Sequence, residues 1–233
     1  MPSTREIMQS THFSPYLTRS NLDGLYCEVE EGCVATDVAP NETISAERQL
    51  FKFSALTWNF GYADFTPAAH YAEWEYHTCH EHYHSMEVFA VYDFLTLDGN
   101  IAVEGLKASF CLEDVTCLPG RYRTYSCASP VFGGRGLQGI SVGCGDLYST
   151  AVACQWIDVT EVVKKLQEKD YGSRKQDFIL RMIVNPDRLV EEINYDNNEI
   201  ACLLTLDAEQ YYSTVTVHQC ARKGMTACRK PIS

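Results

Sequence analysis

The sequence predicts an all-β fold, a β-sandwich core with long, disulfide-stapled loops and one or two short helices. Three observations lead there: strand-like runs rich in β-branched and aromatic residues dominate the chain, eleven cysteines punctuate it, and one segment alone has clear helical periodicity. The runs, in order, are Val88 to Leu97, Lys107 to Leu112, Ala151 to Val159, Phe178 to Val184, Ile200 to Leu206 and Tyr212 to His218. The helical segment is Thr160 to Glu168, where Thr160 can cap, Val162, Val163 and Leu166 share a face, and Tyr171-Gly172 ends the run. Turns are expected around Gly133-Gly134 and Gly143 to Gly145, and Asn185-Pro186-Asp187 marks a reversal after a strand.

No repeat, low-complexity stretch or Pro/Gly/Ser linker divides the 233 residues, so a single domain is expected. A composition 45% hydrophobic and 12% aromatic closes a core, since a chain of this length buries roughly 70% of its unfolded surface. The tail from Ala221 to Ser233 carries Arg222, Lys223, Arg229 and Lys230 and reads as a solvated basic extension.

The net charge of −12 argues against a nucleic-acid partner, because a phosphate-binding surface needs a surplus of Lys and Arg. An acidic surface favours lysine-rich polypeptides by long-range steering, with plain solubility as the alternative. The cysteines do not form the paired C-x-x-C knuckles of zinc ribbons, so oxidised bridges and an exported chain are expected. Asn41-Glu42-Thr43 is a glycosylation acceptor triplet and fits that setting. Met1 to Ser10 has no apolar core of the kind a signal peptide needs, so the signal is expected to have been trimmed or the sequence to be part of a longer protein. No run reaches the roughly 18 apolar residues of a membrane span.

Four of the seven histidines fall in His77-Thr78-Cys79-His80-Glu81-His82-Tyr83-His84. On an extended backbone, His80, His82 and His84 share one face at a spacing of about 7 Å and can converge on one ion. Three imidazoles suit copper or zinc, and the spacing does not choose between them. A surface histidine tract or a tag remnant is the alternative, although tags lie at termini and do not alternate with Glu, Tyr and Cys. His77 is out of register with the other three and is expected behind them, orienting a ligand or a water.

The segment His77 to Glu87, with Ala102 to Cys117 (A-V-E-G-L-K-A-S-F-C-L-E-D-V-T-C) and Cys154 to Thr160 (C-Q-W-I-D-V-T), resembles the catalytic domain of the lysyl oxidase family, in particular its lysyl oxidase-like members. The resemblance implies a domain at 25–220, an N-terminal extension over 1–24 and a tail over 221–233. It implies copper on His80, His82 and His84, and a self-derived lysine tyrosylquinone from Lys107 and Tyr148. A tyrosine beside Cu(II) and oxygen can be oxidised to a quinone, and only an uncharged amine then adds to the ring, so burial that lowers the Lys107 pKa would help. The implied activity is oxidation of peptidyl lysine to the aldehyde by molecular oxygen, releasing hydrogen peroxide and ammonia. The implied partners are lysine-rich extracellular matrix proteins, collagen- or elastin-like, and the implied location is the extracellular space.

The resemblance also implies five bridges, Cys27 with Cys79, Cys33 with Cys154, Cys111 with Cys127, Cys117 with Cys144 and Cys202 with Cys220, leaving Cys228 over. Two departures stand out: Leu106 stands where family members usually carry histidine and Val91 where they often do, which leaves the general base unassigned. A catalytically inactive secreted metal-binding or matrix-interaction module is therefore the alternative, and a zinc hydrolase on the same histidines a third reading. The stretches from Val163 to Gln176 and from Cys202 to Cys220 are longer than the family's. Glu192, Asn194, Asn197 and Asn198 resemble a calcium-binding stretch of the lysyl oxidase-like proteins, with a plain polar turn as the alternative. Asn194 replaces an acidic residue there, and no N-terminal acidic ligand is evident near Ser3 to Glu6.

Overall fold

The computed structural model describes residues 5–7, 15–34, 47–168, 173–209 and 212–222, with the backbone alone at 5–7, 104, 106 and 107. Its strands are β1 (Arg5–Ile7), β2 (Tyr16–Asn21), β3 (Glu47–Lys52), β4 (Ala55–Asn59), β5 (Glu75–His77), β6 (His82–His84), β7 (Ala90–Thr96), β8 (Ile101–Ala108), β9 (Thr116–Cys117), β10 (Cys144–Tyr148), β11 (Trp156–Asp158), β12 (Lys175–Val184), β13 (Glu199–Ala208) and β14 (Ser213–Arg222). They form antiparallel sheets in the orders β14-β13-β12-β7-β8, β1-β4-β10-β9, β11-β3-β2 and β5-β6. The helices are short: α1 (Tyr26–Glu30), α2 (Val131–Gly134), whose Phe132 and Gly133 are left-handed, and α3 (Thr160–Gln167). The fold is all-β, as expected. Among the described residues no helix is long and apolar enough to cross a membrane.

Alternation builds the five-stranded sheet. Phe178, Leu180, Met182 and Val184 on β12 and Ile200, Cys202, Leu204 and Leu206 on β13 are buried at every second position, so one face of the pleat meets the core. Phe94 carries the contact onward, its ring 4.7 Å from Phe178 and 5.8 Å from Phe51 of β3. Each such side chain stabilises the fold by about 1.5–3 kcal/mol relative to exposure. Helix α3 adds Val162, Val163 and Leu166 to the same core. A second cluster of Leu22, Leu25, Leu50 and Trp156 surrounds the Cys33–Cys154 bridge, and the Trp156 indole donates to Cys33 O at 2.9 Å.

Several expected elements differ. The run Lys107 to Leu112 leaves the sheet after Ala108, because Leu112 N and Glu113 N donate to the side chains of Gln138 and Asp146 instead of a neighbouring strand. In Ala151 to Val159 the strand is Trp156–Asp158 alone; the preceding residues turn, with Cys154 at φ 64°. Thr160 does not cap α3: it is the first helical residue, its N–H donates to Asp158 Oδ1 at 3.1 Å, and its hydroxyl accepts from Gln49 N at 2.9 Å. Strands β1 and β2 lie in the segment expected to precede the domain, and both pair into its sheets. The sequence signals at Tyr171-Gly172, at Asn41 and in the tail beyond 222, Cys228 included, lie outside the described residues.

Five disulfides join Cys27 to Cys79, Cys33 to Cys154, Cys111 to Cys127, Cys117 to Cys144 and Cys202 to Cys220, the pairs the resemblance implies. Three of them hold irregular chain around the site; the other two link paired strands, β9 with β10 and β13 with β14.

Candidate functional site

The histidines sit on a hairpin, not on one extended strand. β5 pairs with β6 so that His77 lies opposite His82, and the chain reverses over Thr78 to Glu81, where Glu81 adopts φ 56°. His80 therefore belongs to the turn and folds back towards His84. The expected i, i+2, i+4 alternation is corrected accordingly, because His82 and His84 alone are strand residues. The convergence survives: one ring nitrogen from each of His80, His82 and His84 lies within 4.8 Å of the other two. The remaining clusters of donors among the described residues include disulfide sulfurs, which carry no thiolate to offer.

Neighbours fix the tautomers. His80 Nε2 faces the Ala153 carbonyl at 3.1 Å and must carry its proton there. Ser109 Oγ donates to Met86 O at 2.7 Å, so it accepts from His84 Nδ1, 3.0 Å away. The two remaining nitrogens, His80 Nδ1 and His84 Nε2, then turn lone pairs on each other at 2.8 Å. Two lone pairs at that distance repel unless a cation, a proton or a metal ion, sits between them. With N–metal bonds of about 2.0–2.1 Å, ligands at a right angle stand about 2.9 Å apart, so the spacing fits a shared ion. Burial lowers the pKa of His80 and of His82, and drives His84 down to about 2 with help from the neighbouring imidazoles. All three are neutral donors at neutral pH, the form a metal requires.

His77 lies behind this nest. Its ring stacks on His84 at 3.8 Å, and its Nδ1 meets Glu31 Oε2 at 3.2 Å. Glu31 Oε1 also accepts from Cys79 N at 3.2 Å, and the Cys27–Cys79 bridge ties the same turn to α1.

Tyr148, at the end of β10, is buried, and its ring stacks on Phe110 at 4.3 Å. Phe110 also lies 5.7 Å from the His80 ring, so one phenylalanine separates the phenol from the imidazoles. The Tyr148 hydroxyl donates to Asp146 Oδ2 at 2.7 Å and lies 3.3 Å from Cys111 O. Burial pushes the phenol well above its usual pKa and the Asp146 carboxyl up to about 8. A cleft of about 540 Å³ is lined by His80, His82, Phe110, Glu113, Asp146 and Tyr148 together. Lys107 lies in β8 opposite Val91, two residues before Ser109 and three before Phe110. The segment 107–111 thus carries the backbone of Lys107, the partner of His84 and the partner of Tyr148 in succession.

Glu192, Asn197 and Asn198 share one turn. Glu192 Oε1 accepts from Asn185 and Asn198 at 2.7 Å each, while the buried amide oxygens of Asn197 and Asn198 have no hydrogen-bond partner. Asn194 is exposed and accepts from Asp196 N at 2.8 Å. The backbone of β1 packs against this turn. Sequence reasoning missed Glu31, Ser109, Phe110 and Asp146; of these only Asp146, two residues from Tyr148 on one strand face, carries a local signal.

Fold and site define a class: a disulfide-stapled all-β domain built around a nest of three imidazole donors. The sequence profile of the lysyl oxidase family matches residues 2–220. The chain is 40% identical over 205 residues to lysyl oxidase homolog 4 of Mus musculus, covering 88% of this chain and 24% of that protein. It is 40% identical over 198 residues to lysyl oxidase homolog 2A of Danio rerio (85% and 25%), and 38% identical over 205 residues to lysyl oxidase homolog 3 of Homo sapiens (88% and 25%). The chain belongs to the lysyl oxidase family. It spans about a quarter of the length of these relatives.

Proposed function

We propose that this domain oxidises the side-chain amine of peptidyl lysine to the aldehyde, a protein-lysine 6-oxidase of the extracellular space, with copper on His80, His82 and His84 and a lysine tyrosylquinone formed from Lys107 and Tyr148. The observation that carries the reading is the pair of facing imidazole lone pairs 2.8 Å apart, one phenylalanine away from a buried tyrosine. Copper and the quinone supply the redox chemistry, the ring acting as electron sink and molecular oxygen as final acceptor, with hydrogen peroxide and ammonia as products. The chain's own residues do the rest. Ala153 O and Ser109 orient two imidazoles, His77 and Glu31 brace them from behind, and Phe110 shields the Tyr148 ring from water. Glu81 and Glu113 in the cleft lining give it an acidic character that suits an ammonium substrate. Lysine-rich matrix proteins of the collagen or elastin kind are the proposed substrates. Calcium on Glu192, Asn197 and Asn198, with Asn194 at the rim, is supported by the two partnerless amide oxygens.

Copper-loaded protein is expected to release peroxide with an alkylamine and to yield a digest peptide joining the Lys107 and Tyr148 segments. Lys107→Ala and Tyr148→Phe each remove both signals while copper content stays unchanged. Protein that binds copper yet shows neither signal favours the second reading, an inactive module of the same fold. A specific observation favours that alternative: Val91 and Leu106, where family members often and usually, respectively, carry histidine, are the cross-strand partner and the chain neighbour of Lys107.

A further inference from the structure

The strand β10 presents two reactive groups on one face. Asp146 and Tyr148 are two residues apart, the spacing that puts side chains on the same side of a pleat, and they are 2% and 5% exposed. A phenol has one proton to donate. Tyr148 Oη has two acceptors in reach, Asp146 Oδ2 at 2.7 Å and Cys111 O at 3.3 Å, and the shorter and potentially charged one takes the bond. Asp146 Oδ2 is itself held by Glu113 N at 3.0 Å, which fixes the carboxyl in place. Both side chains line the same cleft as His80 and His82.

We propose that Asp146 is the proton acceptor for Tyr148 during cofactor formation: the proton passes from Tyr148 Oη to Asp146 Oδ2, leaving a phenolate and a neutral carboxylic acid. Atoms and charge balance within the pair, and the phenolate is the electron-rich form of the ring on which oxidation by molecular oxygen acts. The inference rests on the oxidase reading above and fills the position of a base for this one step. It does not depend on the histidines that Val91 and Leu106 replace.

The groups facing Asp146 set the sign of the pH dependence. Tyr148 lies on its own strand, Glu113 and Asp114 on the segment after β8, Tyr92 on β7, and His80 and His82 line the same cleft. Burial first, and the negative charges of Glu113 and Asp114 after it, hold the carboxyl in its protonated form up to about pH 8. A carboxyl that already carries its proton cannot take the one from Tyr148, so cross-link formation accelerates as pH rises through that value.

The test follows appearance of the Lys107–Tyr148 cross-linked peptide by mass spectrometry after copper and air are supplied to wild type, Asp146→Asn and Asp146→Glu. Wild type is expected to react faster on the alkaline side. Asp146→Asn is expected to bind the same copper yet cross-link on the order of 10²-fold more slowly and without the pH dependence, and Asp146→Glu to recover part of the rate. Cross-linking of Asp146→Asn at the wild-type rate and with the wild-type pH profile overturns the proposal. Should Asp146→Asn fail to fold, metal-free wild type labelled with ¹³Cζ-tyrosine decides. The Tyr148 resonance must then shift with an inflection near 8 as its acceptor ionises, and a flat resonance overturns the proposal. Wild type that titrates so but never cross-links sinks the oxidase reading while leaving the hydrogen-bonded pair intact.

Discussion

The five-stranded sheet and the histidine-bearing loops are held by different physics. In the sheet, β7, β12, β13 and β14 pair along long runs, and alternate residues bury one continuous face. Around the site, β5, β6 and β9 are two or three residues long, and order comes from bridges and from side chains that bond to backbone. Asp114 is typical, a buried carboxylate accepting from Thr124 N, Tyr125 N and Ser141 N. A regular sheet makes a rigid floor but offers few directions for convergence. Irregular chain can aim three imidazoles and a phenol at one volume, and it stays there only if crosslinked. One exception proves informative inside the sheet: the register of β7 against β8 shifts around Phe94, and a Cβ on Gly105 would lie 2.1 Å from Tyr92 O. The regular pattern is broken in the strand that delivers Lys107.

The comparison breaks most sharply under mutations of similar cost in the two regions. Leu180→Ala, in the centre of the sheet, is expected to cost about 2–5 kcal/mol and to lower stability everywhere, with copper affinity of the folded fraction unchanged. Replacing Cys33 and Cys154 together by serine is expected to cost a similar 2–5 kcal/mol, but to act locally. The bridge lies beside Ala153, whose carbonyl orients His80, so copper should be lost at denaturant concentrations where the circular dichroism of the sheet persists. Coincident loss of metal and sheet signal in the serine variant would merge the two regions into one cooperative unit.

Legibility in the sequence divides along the same line. Phe178 to Val184 and Ile200 to Leu206 were readable because a half-buried pleat writes its period of two into the residues. The helix at 160–167 was readable from Val162, Val163 and Leu166 for the same kind of reason. Lys107 to Leu112 misled, since Phe110 and Leu112 are apolar for the sake of the cleft and loop core, not of a strand. The histidines announced a ligand set through their density, yet their geometry depends on the left-handed Glu81, which no periodicity encodes. Glu31 and Ser109 meet the imidazoles from 46 and 25 residues away, and such contacts are fixed by tertiary structure alone.

Acid separates the regions more gently. The folded-state pKa values of His80, His82 and His84 lie below the unfolded value of 6.5, so their contribution to stability is present above that pH and is lost as pH falls below it. Each proton taken up preferentially by the unfolded chain costs about 1.4 kcal/mol per pH unit. Asp146 acts with the opposite sign, since its raised pKa adds stability that fades between about 4 and 8 as the unfolded carboxyl ionises. Metal-free wild type is therefore expected to lose stability on both flanks in a pH series of urea melts. Asp146→Asn should flatten the alkaline flank and leave the acid one. An unchanged alkaline flank would mean that Asp146 is ionised in the folded, metal-free protein.

The smallest effect expected is also the most local. Glu31 reaches the hairpin from the loop after α1 and holds both sides of its turn, His77 Nδ1 with one oxygen and Cys79 N with the other. Glu31→Gln keeps an oxygen for Cys79 N but puts an amide, a donor, against the His77 N–H. His77 then loses its anchor, and with it the ring stacked 3.8 Å from His84 loses its orientation. Outer partners of this kind are worth roughly 10–100-fold in metal affinity, so a competition titration should show copper binding weakened by about that factor with thermal stability nearly constant. If affinity does not move, the backbone pairing of β5 with β6 and the Cys27–Cys79 bridge hold the imidazoles by themselves, and the loop side of the comparison needs fewer side-chain braces than its irregular backbone suggests.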